Sequence, residues 1–412
     1  MKLKCDINLP ASKSESNRAL MISAYGGFVP DFQNLSESND TQLLKHILLS
    51  IDTLTPFVAR YDMDSNLGIS RHVIPNRQVS VSMPKNSPTE IDIADCGTAA
   101  RFLTTYLACT EGEWLLTGSE RMKQRPIHPL VDALIQIGAE IQYVEREGFL
   151  PLRIVGKPIK GGKVQIDATQ SSQFASSLLL AAPTWSQGLE LELVGSPSSM
   201  PYLDMTLAMM RQFGAEVFRN GRTIIVSPKP YQSNSFSVSA DWTAASYWYE
   251  IAAFCEECEI ILRGLSTGSK IVQGDAIIAE WMKSFGVKTE QLENGVLLTK
   301  TPFKKKPLKF DFTDHPDLYP TMAATCAGLG IVADFQGIDN LRFKESDRVE
   351  AMQTELAKIG QKPLCFCAHN DHRIVMALAP LSMLFGPVSF DHPEVVEKSY
   401  PNFWNDADFL RF

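Results

Sequence analysis

The residues of this chain best suited to chemistry stand in short charged runs beside apolar helical stretches. SKSESNRALMIS sets Lys13 and Arg18 among serines at the front of an Ala/Leu-rich segment. ERMKQRPI brings Arg121, Lys123 and Arg125, and LRFKESDR brings Arg342, Lys344, Glu345, Asp347 and Arg348. NDHR places Asp371, His372 and Arg373 before IVMALAPL, and VEKSYP holds Lys398. Guanidinium forks and ammonium point charges are the groups that grip phosphates and carboxylates. Taken singly, each is better explained as a solvated surface charge; weight comes only from where they recur. The whole chain is no anion binder. With 39 Lys and Arg against 47 Asp and Glu the net charge is -8, which leaves no electrostatic footprint for nucleic acid or an anionic membrane. Recognition of anions must therefore be local.

The elements that would position these runs repeat along the chain. Four amphipathic helical patterns, LVDALIQIGAEI, MTLAMMRQFGAEVF, IAEWMKSFGVKT and MQTELAKIGQK, end at Gly138, Gly214, Gly286 and Gly360, in steps of 76, 72 and 74. A glycine after the last turn is an ordinary helix stop; four at near-constant spacing are a repeat. Apolar strands ending at Gly118, Gly195, Gly264 and Gly337 precede them, with weaker copies at Asn34 and Asp391. A second series interleaves. Small or polar starts lead into Ala/Leu-rich helices at Lys13, Thr98, Ser172, Thr243, Tyr319 and Arg373, in steps of 85, 74, 71, 76 and 54.

Two series in register predict an α/β protein of six β-α-β-α-β units of about 70 residues, three per domain, since 412 residues exceed one ordinary core. The Pro/Ser-rich SPKPYQSNSFSVS puts the boundary near residue 237. The second-series helices are apolar almost all round and so should be buried. Their polar ends, if they meet at one cleft, would bind a polyanion, because helix N-termini favour negative charge. Capping by Ser, Thr and Asp explains most such starts. It requires neither Lys13 nor Arg18, nor the Asp371-His372-Arg373 triple.

SKSESNRA, GTAARFL, RMKQRPI, DATQSSQ, PYLDMT, PDLYPT, LRFKESDR, NDHR and VEKSYP together closely resemble, in order and over nearly the whole length, the 5-enolpyruvylshikimate-3-phosphate synthase family of enolpyruvyl transferases. The resemblance implies a two-domain inside-out α/β barrel, with 13–237 as one domain and 1–12 plus 238–412 as the other. It implies transfer of the enolpyruvyl group of phosphoenolpyruvate to the 5-hydroxyl of shikimate 3-phosphate, without cofactor or metal. Matching motifs assign Ser14, Arg18, Ser171, Ser172, Gln173, Ser199, Tyr202, Asp317, Asn340 and Lys344 to shikimate 3-phosphate. They assign Lys13, Gly97, Arg125, Gln173, Arg348, Arg373 and Lys398 to phosphoenolpyruvate. Lys13, Asp317, Lys344, Glu345 and His372 become the catalytic set, with Glu345 as the acid and Asp317 and Lys344 beside the hydroxyl. The domains are expected to close on their ligands.

Other readings stay open beside this one. The related transferase acting on UDP-N-acetylglucosamine shares the fold and uses a loop cysteine, and a non-catalytic anion-binding relative is a third possibility. CFCAHNDH crowds Cys365, Cys367, His369 and His372, but the spacing is tighter than that of usual zinc sites. Cys255 and Cys258 have redox spacing after a helix, which favours structural thiols. The sequence departs from the family at Asp95 (usually Asn), at Cys96 (usually Ala) and at Asn39-Asp40 (usually two Asp). Asp95 is expected to cap the helix carrying Gly97. Eight sparse cysteines, no apolar leader in MKLKCDINLP and no apolar run near 18 residues point to a cytoplasmic chain, expected to be monomeric.

Overall fold

A computed structural model describes residues 1–28, 31–54, 81–82, 88–268 and 272–410. The middle of the first expected repeat, 55–80 and 83–87, lies outside the described residues. The recurring unit is a parallel strand pair joined by a buried helix. Thr89–Asp92 pairs with Gly112–Thr117 across Gly97–Cys109, and Gly162–Asp167 with Leu189–Val194 across Ser172–Ala181. Leu308–Asp311 pairs with Ala333–Gln336 across Tyr319–Leu329, and Leu364–Phe366 with Val388–Phe390 across His372–Leu378.

The repeating aspartate and glycine have one physical cause. Asp92, Asp167 and Asp311 end their strands and accept the backbone N–H two residues on, fixing the turn into the helix. The strand returning beside them reaches that turn at Gly195 (φ 76°) or Gly337 (φ 67°). A Cβ there would lie 2.3 Å from Thr169 Oγ1 or from the Thr313 backbone nitrogen. Only glycine allows both the left-handed backbone and this approach.

Two units exchange strands. Lys2–Asn8 runs parallel to Glu257–Arg263, while Phe236–Ser237 pairs with Phe32–Gln33. The chain therefore crosses twice between two packed halves, and the crossings lie side by side: Ser12 N donates to Ser239 O (2.8 Å) and Asp241 N to Pro10 O (2.9 Å), around an antiparallel Ala11–Ala240 bridge. Buried apolar side chains form one core between Ala11 and Val238. A second is formed by Ile7, Leu9 and residues from Ala240 to Leu410.

The architecture is mixed α/β, with two differences from the expected pattern. Among the described residues the strands lie in six separate open sheets and none closes on itself, so no hydrogen-bonded barrel forms. Nor does every unit end in its own strands. Antiparallel hairpins follow the helices His128–Gln136, Met200–Gln212 and Ile278–Trp281. After Arg348–Leu356 the chain enters Leu364–Phe366 directly, already the first strand of the next pair. The missing hairpin accounts for the short last step of 54 residues between Tyr319 and Arg373. Among the described residues no helix is long and apolar enough to cross a membrane.

Candidate active site

The helices Lys13–Gly26, Gly97–Cys109, Ser172–Ala181 and His372–Leu378, and the Pro316–Leu318 turn that leads into Tyr319–Leu329, begin at one pocket. Its lining includes Lys13, Ser14 and Arg18, then Gly97 and Thr98, then Ser171, Ser172 and Gln173, then Pro316 and Asp317, then His372 and Arg373. Side chains of Ser12, Cys96, Ser171 and Asp371 cap four of these starts, each such cap contributing about 1 kcal/mol. Arg125, Ser199, Tyr202, Lys344, Glu345 and Arg348 complete the wall with Asp40. The sequence therefore identified the groups that converge, although they lie up to 360 positions apart (Lys13 to Arg373).

On the side drawn from residues 13–237, the cations meet mostly neutral groups, with Asp40 beside Lys13 and Glu345 Oε1 3.9 Å from Arg125 Nη1. Lys13 Nζ lies 3.0 Å from Asp40 Oδ2. Arg18 is buried and donates to Thr206 Oγ1 (2.7 Å), Ser14 O (2.9 Å) and Tyr202 O (3.1 Å). Burial lowers it to about 10. Arg125 donates through Nε to Phe343 O (3.1 Å), while its buried Nη1 has no hydrogen-bond partner. A Cβ on Gly97 would lie 2.7 Å from that Nη1 and 2.9 Å from Arg101 Nη1, so the glycine leaves room for two guanidinium groups.

The opposite side is a lattice of charge. Arg348 is 1 % exposed and donates to Asp371 Oδ2, Asp317 Oδ1 and Glu345 Oε2, all at 2.8 Å; Arg373 Nη2 reaches Asp317 Oδ2 at 2.7 Å. Burial by itself would raise both carboxylates, but Arg373, Lys344 and Arg348 outweigh it at Asp317, and Arg348, Lys398 and Arg125 at Glu345. Both stand ionised, well below the usual carboxylate range. Burial brings Lys344 down to about 8 against the opposing pull of Asp317. His372 is buried with neither ring nitrogen bonded; burial, Lys13 and Arg373 hold it far below its usual value, hence neutral.

Contacts across the cleft are already made. Arg121 donates to Lys344 O (2.9 Å), Glu345 O (3.1 Å) and Arg342 O (3.3 Å). Two expected site residues stand back from the main lining. Lys398 Nζ is taken by Asp95 O (2.8 Å) and lies 3.8 Å from Glu345 Oε1, so it touches the pocket through Glu345. Asn340 lines an adjoining cavity with Arg101, Ser171 and Lys344; its Nδ2 meets Ser198 Oγ at 3.4 Å.

The expectation for Asp95 is corrected. The cap of the Gly97–Cys109 helix is Cys96, whose Sγ accepts from Ala99 N at 3.4 Å, and Asp95 instead accepts from the Ser119 hydroxyl. Ala94, with φ 48°, turns the chain one residue earlier than the sequence pattern suggests. The CFCAHNDH residues separate: Cys367 Sγ contacts Asp391, His369 contacts Glu355, and only His372 reaches the pocket. Among the described residues no three His, Cys, Asp or Glu side chains are grouped to hold a metal. Cys255 and Cys258 are buried, at a helix end and in a strand. Sequence reasoning missed Asp40 as the partner of Lys13 and Asp371 as the partner of Arg348. The only local signal was the Asp before His-Arg.

The chain is similar in sequence and fold to known proteins. The family model for EPSP synthase (3-phosphoshikimate 1-carboxyvinyltransferase) matches residues 1–407. A 3-phosphoshikimate 1-carboxyvinyltransferase of Bacteroides fragilis is 39% identical, over 98% of this chain and 95% of that protein. That of Haemophilus influenzae is 34% identical, over 98% and 95%. In fold, the chain is similar to the EPSP synthase of Acinetobacter baumannii, with a TM-score of 0.68 at 20% identity, covering 99% of this chain and 96% of that one. It is also similar to the enolpyruvyl transferase NikO of Streptomyces tendae, with a TM-score of 0.67 at 14% identity over 99% and 95%. With its matched length and these relatives, the chain belongs to the EPSP synthase family.

Proposed function

We propose that the chain transfers the enolpyruvyl group of phosphoenolpyruvate to the 5-hydroxyl of shikimate 3-phosphate. Addition and then elimination release 5-enolpyruvylshikimate 3-phosphate and phosphate, in the shikimate pathway. The observation that carries this reading is the meeting in one pocket of Lys13, Arg125, Arg348 and Arg373 with Asp317, Lys344 and Glu345. Both substrates are phosphorylated carboxylates, and such anions need fixed cations around them. The hydroxyls and amides of Ser14, Ser171, Ser172, Gln173, Ser199 and Tyr202, with Arg18 and Asn340, hold shikimate 3-phosphate. Lys13, Gly97, Arg125, Gln173, Arg348 and Arg373 hold phosphoenolpyruvate, with Lys398 behind Glu345.

The charge lattice supplies the proton chemistry. Incoming anions compete with Asp317 and Glu345 for Arg348 and Arg373, and each carboxylate so released becomes more basic. Asp317, with Lys344, then takes the 5-hydroxyl proton, and Glu345, once protonated, delivers to the methylene carbon. Neutral His372 and Lys13 stabilise the intermediate. Residues 13–237 and the pair 1–12 and 238–412 serve as two inside-out domains that close over the substrates, in a cytoplasmic monomer.

A phosphate-release assay with phosphoenolpyruvate and either shikimate 3-phosphate or UDP-N-acetylglucosamine tests the reading; turnover with the UDP-sugar alone overturns it. The sugar-nucleotide alternative has little support, because no cysteine is among the lining residues. Cys96 is buried and its thiol is pushed up to about 12.

A further inference from the structure

Behind Asp317 lies a second carboxyl group that the reaction as described does not use. Asp275, in the Gly274–Ile277 turn, is 2 % exposed. Its Oδ2 accepts from Thr243 Oγ1 (2.6 Å) and from the Tyr202 hydroxyl (3.0 Å). The same Tyr202 hydroxyl lies 3.2 Å from Asp317 Oδ2. One phenolic proton thus faces two carboxylates, and their surroundings differ. Asp317 is held by Arg348 and Arg373, whereas the hydrogen bonds to the Asp275 carboxyl come from two hydroxyls. Its other oxygen, Oδ1, is buried without a hydrogen-bond partner, and so is His315 Nδ1, 3.9 Å away.

We propose that Asp275 is a positioning residue whose charge state, relayed by the Tyr202 hydroxyl, sets how readily Asp317 accepts a proton. The inference rests on reading Asp317 as a base at the 5-hydroxyl. The groups facing Asp275 are Tyr202 from the Met200–Gln212 helix, Thr243 from Trp242–Phe254, and His315 and Asp317 from around the Pro316–Leu318 turn. Arg373, from the His372–Leu378 helix, acts at longer range. Burial, then the charge of Asp317, push Asp275 up to about 7, against the hydroxyls and Arg373. Burial keeps His315 below its usual value, against Asp314 and Asp311. Below that midpoint Asp275 is neutral and the Tyr202 proton is committed to Asp317, which weakens it as a base. Above it, the second negative charge competes for that proton and repels the charge on Asp317, so Asp317 takes up a proton more readily.

The test is the pH profile of kcat for phosphate release in the parent and in Asp275→Asn, which stays uncharged throughout. Substrate phosphates titrate near pH 6 in both, so the ratio of the two profiles isolates Asp275. The ratio should rise about tenfold between pH 5.5 and 8.5 with a midpoint near 7. A ratio constant within twofold is what a purely structural role produces and overturns the proposal. If Asp275→Asn does not fold, Thr243→Val decides: losing a donor to the ionised carboxylate should move the midpoint up by about one pH unit, and an unmoved midpoint overturns the proposal. If the parent releases no phosphate from the two substrates, the functional reading itself fails. Carboxyl-13C NMR of the unliganded protein still reads the charge: one aspartate titrating between pH 6 and 8 supports the inference, and all aspartates titrating below pH 5 overturn it.

Discussion

On the side of the pocket contributed by residues 13–237, most polar groups are hydroxyls and amides, Ser14, Thr98, Ser171, Ser172, Gln173 and Ser199, with three cations among them. On the side contributed by the later residues, Asp317, Lys344, Glu345, Arg348, His372 and Arg373 are all ionisable, and several share partners. Hydroxyls keep their character whatever binds, so they recognise shape. Paired charges change partners and proton affinity when an anion arrives, so they can carry a reaction. On the proposed reading, one side mainly binds and the other moves protons.

The comparison is broken most severely at Asp317. Asp317→Asn removes the proposed base and leaves Arg348 and Arg373 short of a counter-charge, so kcat for phosphate release should fall about 10²- to 10⁴-fold. A fall below tenfold would place the chemistry elsewhere. On the hydroxyl side, Ser172→Ala should raise the KM for shikimate 3-phosphate about ten- to a hundredfold while kcat stays within about threefold, the pattern of a lost hydrogen bond to a charged ligand. Equal losses in kcat and kcat/KM would contradict the division.

Away from the pocket the later half contains a carboxyl with nothing to pair with. Glu250 is fully buried in the Trp242–Phe254 helix, neither oxygen has a hydrogen-bond partner, and burial raises it well above its usual value. A carboxyl raised on folding contributes stability that is full below about 4.5 and is lost as pH rises through its folded value. Glu250→Leu should therefore stabilise by about 1–3 kcal/mol, more at pH 8 than at pH 5. Denaturant unfolding at both pH values checks this, and an equal shift at both would count against it. The smallest effect is expected at Asp95. Asn can still accept from Ser119, so Asp95→Asn should leave the KM for phosphoenolpyruvate within about threefold. A tenfold drop in a steady-state titration would show that the carboxylate repels the substrate.

Periodicity made the repeating strand-helix-strand unit legible because a strand-end aspartate and the returning glycine answer a local steric demand, as at Asp167 with Gly195 and Asp311 with Gly337. The pocket was legible because its side chains sit at helix starts, which short motifs mark. Pairing was not. Lys13 with Asp40, Arg348 with Asp371 and Tyr202 with Asp275 are 23 to 73 positions apart, and nothing local selects those partners. Asp95 and Cys96 show the limit of cap reading: either fits the pattern, and a left-handed Ala94 decided between them.

The strand Lys2–Asn8 is made well before its only sheet partner among the described residues, Glu257–Arg263: Lys2 meets Glu257, 255 positions later. At about 5–20 residues per second the interval is about 13–50 s. Until then the segment has no strand to pair with, and an unpaired edge is the kind that recruits wrong partners. Its lysines, Lys2 and Lys4, keep that edge charged until Glu257 and Glu259 arrive to meet them. The lysines of these surface ion pairs thus offer a charged edge, unattractive to a wrong strand, before the native sheet exists.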